Sequence, residues 1–320
     1  MIKTLTIAGI LAISASSVYA RDQIQVTGSS TVLPYATIVA EAFGENFDFP
    51  SPVVEGGGSG AGRKKLCEGV GENTVDIANS SSKMKDEEWA KCEAAIGAIT
   101  EVRFGYDGIV FASNIDALNL DNVTVAQLYT ALHADSTARL WSDVDSTLPA
   151  TEILAYIPGT KHGTREVFDV KVMEAGCKEA LGVEKLDDDQ KKACVKVRTD
   201  GAAIDIDGDY TETLARLDAN RTALGVFGLS FYQNNTDKLE VSTVSGVAPS
   251  VETISSGDYP ISRPLYFYVK NAHLDVIPGL KEYVQFFISD EMAGPDSPLA
   301  QYGLVPDPEL AVTQATVASW

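Results

Sequence analysis

Basic side chains are scarce in this chain. Its 320 residues carry 25 Lys and Arg against 45 Asp and Glu, a formal charge of −20. Nucleic acids and anionic membrane surfaces bind through basic patches, so this balance excludes both as partners. An acidic surface also repels anionic ligands at a distance, although salt screens the repulsion beyond about 10 Å at 0.1 M. Any anion site must therefore be local, built from backbone dipoles and one or two cations. Histidine is equally rare: His133, His162 and His273 lie in separate segments and no H-E-x-x-H is present. That leaves neither a metal site nor a cofactor to expect.

Long apolar runs are also missing, since nothing approaches the roughly 20 residues that span a bilayer. The nearest candidate is N-terminal: Lys3 precedes an apolar run from Leu5 to Ile13, and Val18-Tyr19-Ala20 follows the small-x-small rule of cleavage sites. Residues 1–20 read as a cleavable export signal without a lipidation cysteine, so the mature chain starts at Arg21 and is not inserted in a membrane. Removing the signal takes one lysine, leaving 24 basic residues (25 − 1) against 45 acidic ones, or −21. The four cysteines, Cys67, Cys92, Cys177 and Cys194, contain no C-x-x-C. In an exported chain they read as disulfides with three possible connectivities, of which the sequence-local one, Cys67–Cys92 and Cys177–Cys194, is favoured.

What the chain does have is an alternation of strand and helix patterns. Three Gly/Ser/Thr stretches, Gly28-Ser29-Ser30-Thr31, Gly57-Gly58-Ser59-Gly60-Ala61-Gly62 and His162-Gly163-Thr164-Arg165, each fall where a strand ends and a helix begins. A helix start presents unpaired N–H groups and a positive dipole end, which together favour an anion. One such loop is ordinary turn and capping chemistry. Three suggest a tetrahedral oxyanion held from several sides. Strands are expected at 24–27, 52–55, 75–78, 108–112, 153–157 and 265–270, and helices through Val32, Ala36, Val39 and Phe43, over 63–70, over 125–132, through Val167, Val170 and Glu174, and over 280–288. The segment 185–192 is charge-dense and reads as a solvated excursion. Asp205-Ile206-Asp207-Gly208-Asp209 lacks the glycine placement and terminal Glu of a calcium loop, and reads as an acidic turn. The implied layout is α/β, with a first lobe at 21–110, a second at 111–261 and a return to the first at 262–320.

The strings GSSTVLP, VDIANSS, GYDGIVFASN, HGTREVF and YPISRPLYFYVK, in this order, resemble the phosphate-binding receptors of bacterial phosphate ABC transporters. The resemblance covers nearly all of the mature chain and implies a two-lobed, type II periplasmic-binding-protein-like fold. Each lobe would be a mostly parallel sheet flanked by helices, with phosphate in the interlobe cleft. It also implies a periplasmic, monomeric, non-catalytic receptor that closes over inorganic phosphate and delivers it to membrane permease subunits. The alternatives are a receptor for sulfate, molybdate or a phosphonate, or a secreted phosphatase. Against the last, the only approach to a nucleophile elbow, at Ser59, misses its final glycine.

Carried over by position, the resemblance assigns phosphate contacts to Ser30, Thr31 and the Val32 amide at the first helix start, to Ser59 in the glycine loop, and to Ser81. Asp107 enters from the crossing strand, and His162, Gly163, Thr164 and Arg165 come from the second lobe, with Arg165 as the fixed cation. Two positions depart from the pattern: His162 stands where many relatives have Ser, and Lys83 follows Ser82 where they often have Arg. A ring N–H at His162 would make binding sensitive to pH near 6.5, and Lys83 or Lys161 would partly restore the lost charge. Asp107 has a specific role in this reading. A buried carboxylate accepts the proton that hydrogen phosphate carries and sulfate lacks, and so repels sulfate.

Overall fold

The computed structural model describes residues 21–160 and 163–320; the export signal expected at 1–20, Lys161 and His162 lie outside the described residues. Strands β1 (Gln25–Gly28), β2 (Val53–Glu55) and β3 (Ile77–Ser80) pair in parallel in the order β2–β1–β3. Strand β4 (Ile99–Asn114) is a single run of 16 residues, buried without a break from Phe104 onward. Beyond it come β5 (Asn122–Val123), β6 (Ala155–Pro158), β7 (Ala203–Ile206) and β8 (Leu224–Gly228), the last three parallel in the order β8–β6–β7. Of the remaining strands, β9 (Leu239–Val241) pairs with β4, β10 (Thr243–Val244) with β5, β11 (Ser262–Lys270) with β3 and β4, and β12 (Leu304–Pro306) with β4.

The two parallel arrays therefore stand at the ends of one curled sheet, and antiparallel β11 and β4 join them. Through Gly108, β4 pairs with β11; from Ile109 onward it pairs with β8. The partner of β4 thus changes between Gly108 and Ile109, and β11 begins at Ser262. The crossings are stitched together, because Ile109 N–H donates to Ile261 O at 3.3 Å and Tyr259 Oη donates to Ile109 O at 3.0 Å. Each array has its own apolar core. One is built on Val26, Val39, Phe43, Phe104, Phe267 and Phe287, the other on Phe111, Leu128, Trp141, Ile157, Phe168 and Phe227.

Helices cover both arrays. In Leu33–Asn46, Ala36, Val39 and Phe43 face the first core, and Pro34 sits in the first turn, where its missing N–H costs nothing. The helix expected over 63–70 begins earlier, as Ser59–Leu66, so the glycine loop is itself its first turn. The sequence permits this because Gly58 takes a φ of 91°, and because Gly62 packs so closely on β1 that a Cβ would stand 2.4 Å from Gly28 Cα. The helix Val125–Leu132 is closed by a capping box between Thr124 and Gln127.

After β6 the chain is helical from Gly163–Val167, through a π-helical segment Phe168–Glu174, to Ala175–Leu181. The charge-dense stretch at 185–192 contributes a short helix, Asp188–Cys194, capped by Asp187. Disulfides join Cys67 to Cys92 and Cys177 to Cys194, the sequence-local pairing. Among the described residues no helix is long and apolar enough to cross a membrane.

Candidate functional site

The ends of β1 and β3, the helix start at Ser59 and the crossing point of β4 with β11 meet at one place. Antiparallel register sets Arg263 of β11 directly opposite Asp107 of β4. Arg263 is 8% exposed, and from there its guanidinium reaches two loops and β4. Nη2 donates to Thr31 Oγ1 at 2.5 Å, Nη1 donates to Ser81 Oγ at 3.3 Å, and Nε lies 3.9 Å from Asp107 Oδ2. Ser59 Oγ accepts from Ser81 N–H at 3.1 Å and lies 3.2 Å from Ser81 Oγ. A second buried arginine, Arg63, braces the Ser81 loop from behind: Nη1 donates to Ser80 Oγ at 2.6 Å, and Nε donates to Glu88 Oε1 at 2.9 Å.

Thr31 and Ser81 are buried, whereas Ser30 is exposed at the turn. The first helix start is partly satisfied from within, because the Ser29 hydroxyl accepts from Thr31 N–H at 3.2 Å and Val32 N–H at 3.3 Å.

Asp107 is 1% exposed, and neither of its oxygens has a hydrogen-bond partner among the described residues. A buried carboxylate without donors is costly when charged. Burial accordingly pushes its pKa up to about 6, against the pull of Arg263 and with a smaller push from Glu166. Arg263 Nε is likewise without a hydrogen-bond partner among the described residues. The cluster therefore combines three hydroxyls, a guanidinium with donor capacity to spare, and a carboxyl group poised to share a proton. That set matches a protonated tetrahedral oxyanion.

From the second lobe, Gly163 and Thr164 open the helix after β6, and the buried Thr164 hydroxyl lies beside Tyr210 without a well-formed hydrogen bond among the described residues. The cation expected there, Arg165, is committed elsewhere. Nε donates to Asp169 one turn along at 2.8 Å, and Nη1 donates to Asp205 at 2.8 Å and to Pro158 O at 3.1 Å. Two carboxylates claim it, and the guanidinium bonded to Thr31 and Ser81 is that of Arg263. The neighbouring Glu166 crosses the cleft, accepting a hydrogen bond from Thr31 Oγ1, with Oε1 3.6 Å from Arg263 Nη1.

Lys83 is exposed and pairs with Glu101 at 3.4 Å, so it adds nothing to this cluster. Of the acidic turn, Asp205 serves Arg165 and Asp209 caps the helix Tyr210–Ala219. A cavity of about 200 Å³ borders Thr164, walled by Tyr35, Tyr210, Phe231 and Tyr302. No lysine or arginine lines it. Arg263 and Glu166 were not among the residues expected from sequence. The one available signal was an arginine set between Ser262 and Pro264 at the head of an aromatic strand.

The profile of the PBP superfamily domain matches residues 14–291. The phosphate-binding protein PstS of Staphylococcus saprophyticus is 30% identical over 285 residues, which cover 87% of this chain and 79% of that one. A possible phosphate binding protein from Planctomyces limnophilus has a solved structure that superposes with a TM-score of 0.73 at 27% identity, covering 93% of this chain and 98% of that one. PstS from Borrelia burgdorferi shares the fold, with a TM-score of 0.60 at 19% identity over 90% of this chain and 99% of that one. With its two-lobed sheet and interlobe polar cluster, the chain belongs to the PBP superfamily, in the PstS family of phosphate-binding proteins.

Proposed function

We propose that the chain is an exported receptor that captures inorganic phosphate between its lobes and hands it to the permease of an ABC transporter, itself catalysing nothing. The observation that carries this reading is the buried cluster of Arg263, Thr31, Ser81 and the unpartnered Asp107. Thr31, Ser59 and Ser81 form the floor in the first lobe, Arg263 supplies the cation, and Asp107 accepts the ligand's proton. Gly163 and Thr164 close from the second lobe, with Arg165 holding their helix to β7. The ligand enters the open cleft and the lobes turn about the paired crossings at Gly108/Ile109 and Ile261/Ser262. Closure excludes water and so strengthens each hydrogen bond to the anion.

Relatives named for phosphate binding and an N-terminal export pattern support this reading. Calorimetric titration with phosphate, arsenate, sulfate and molybdate tests it. Phosphate and arsenate should bind and sulfate should not, whereas a preference for sulfate or molybdate would overturn the assignment. A chromogenic phosphate ester should release no product.

A further inference from the structure

The geometry points to Glu166 as an internal competitor that sets the affinity of the site. Its carboxylate sits against both Thr31 and Arg263, in the place an oxyanion would take. The inference rests on the oxyanion-receptor reading above. Oε2 accepts from the Thr31 hydroxyl, and Oε1 stands 3.6 Å from Arg263 Nη1. Both partners are donors suited to an anion, and both are buried, with Thr31 at 0% and Arg263 at 8% exposure. A carboxylate, with two oxygens spaced like those of a tetrahedral oxyanion, satisfies both.

The two acids of the cluster differ in how they are held. Asp107 lies in β4, fully buried, and makes no hydrogen bond among the described residues. Glu166 comes from the opposite lobe on a short helix, and its side chain is 41% exposed. It therefore has solvent to withdraw into, whereas Asp107 does not. Because Glu166 is tethered, its effective concentration at the seat is high, so even a modest carboxylate contact keeps the seat filled. The apparent affinity of any anion then falls in proportion to the fraction of molecules whose seat is free. An anion able to make only the contacts that Glu166 already makes gains nothing by displacing it. One that adds bonds to Ser59, Ser81 and Asp107 does.

The test is phosphate titration of the full mature chain beside Glu166→Ala and Glu166→Gln. Emptying the seat should lower the dissociation constant of the alanine variant by about threefold to thirtyfold. The glutamine variant, which keeps an acceptor for Thr31 but no charge for Arg263, should fall between. Sodium acetate at millimolar concentration, compared with chloride at equal ionic strength, should weaken phosphate binding to the alanine variant and leave the parent unchanged. Acetate then refills the vacated place, an effect that a purely structural role for Glu166 would not produce. Equal or weaker phosphate binding in both variants overturns the inference, and the glutamine variant decides the matter if the alanine one does not fold. If parent and variants alike fail to bind phosphate, the receptor assignment falls instead.

Discussion

Arg263 and Asp107 face each other across antiparallel strands, their charged groups 3.9 Å apart, yet Asp107 makes no hydrogen bond among the described residues. The pair is buried, so the attraction offsets only part of the cost of taking Asp107 out of water. Because the folded pKa of about 6 lies above the ordinary aspartate value of 3.8, the folded state holds this proton more tightly than the unfolded one. The stability that proton contributes is full below pH 4 and is lost as pH rises through 6. About two units correspond to roughly 3 kcal/mol as an upper figure. Asp107→Asn should therefore be more resistant to urea than the parent at pH 7.5, by about 1–3 kcal/mol, and no more resistant at pH 4. Equal differences at both pH values would show that the carboxylate is not charged at a cost.

The same titration governs selectivity. On the proposed reading, the ionised Asp107 would accept a proton from hydrogen phosphate and repel sulfate above pH 6, and below pH 6 the protonated carboxyl would donate to either. Sulfate binding should strengthen as pH falls through 6, and Asp107→Asn should bind sulfate at all pH values with the phosphate preference reduced about tenfold or more. Calorimetry of both anions at pH 5 and 8 reads this out, and an unchanged selectivity in the variant would remove Asp107 from the role.

Much of this arrangement could be read from the chain itself. Glycine loops after apolar strands marked the helix starts, and their chemistry is local: Gly58 needs its positive φ and Gly62 its close approach to Gly28. The cation proposed for the site could not be read in this way. Arg165 has the right residue type in the right motif, but Asp169 and Asp205 neutralise it, and Asp205 reaches it only because β6 and β7 are neighbours. Arg263 gains its position from the β4–β11 register, and Glu166 meets Thr31 across 135 residues of sequence. Such contacts follow from tertiary pairing, which no local pattern encodes. The length of β4 was also hidden, since adjacent Thr100 and Glu101 break the apolar/polar alternation in its first half.

The two arginines should separate cleanly in experiment. Arg263→Lys loses the fork that spans Thr31 and Ser81, and should weaken phosphate binding by about 2–4 kcal/mol, roughly thirtyfold to several-hundredfold. Arg165→Lys loosens the tie between its helix, Asp205 and Pro158 O, and should lower the thermal midpoint while changing affinity less. Titration and thermal melts on both variants check the split. A larger affinity loss at Arg165 than at Arg263 would return Arg165 to the position of principal cation.

The disulfides should separate in the same manner, because only one is joined to the site. Cys67 follows directly on the helix Ser59–Leu66, which carries Ser59 and Arg63, and its bond to Cys92 closes a separation of 25 residues. Cys177–Cys194 closes 17 residues and holds the exposed helix Asp188–Cys194 against the second lobe. Loop-closure entropy gives each bond about 3 kcal/mol, so replacing either pair with serine should lower the thermal midpoint by several degrees. Only the Cys67/Cys92 replacement should also weaken phosphate binding below the transition. Losing that bond frees the end of the helix whose first turn is the glycine loop, and with it the Arg63 brace behind Ser81. The Cys177/Cys194 replacement should bind as the parent does, and a matching affinity loss in that variant would show that the two lobes are coupled more tightly than their separate cores imply.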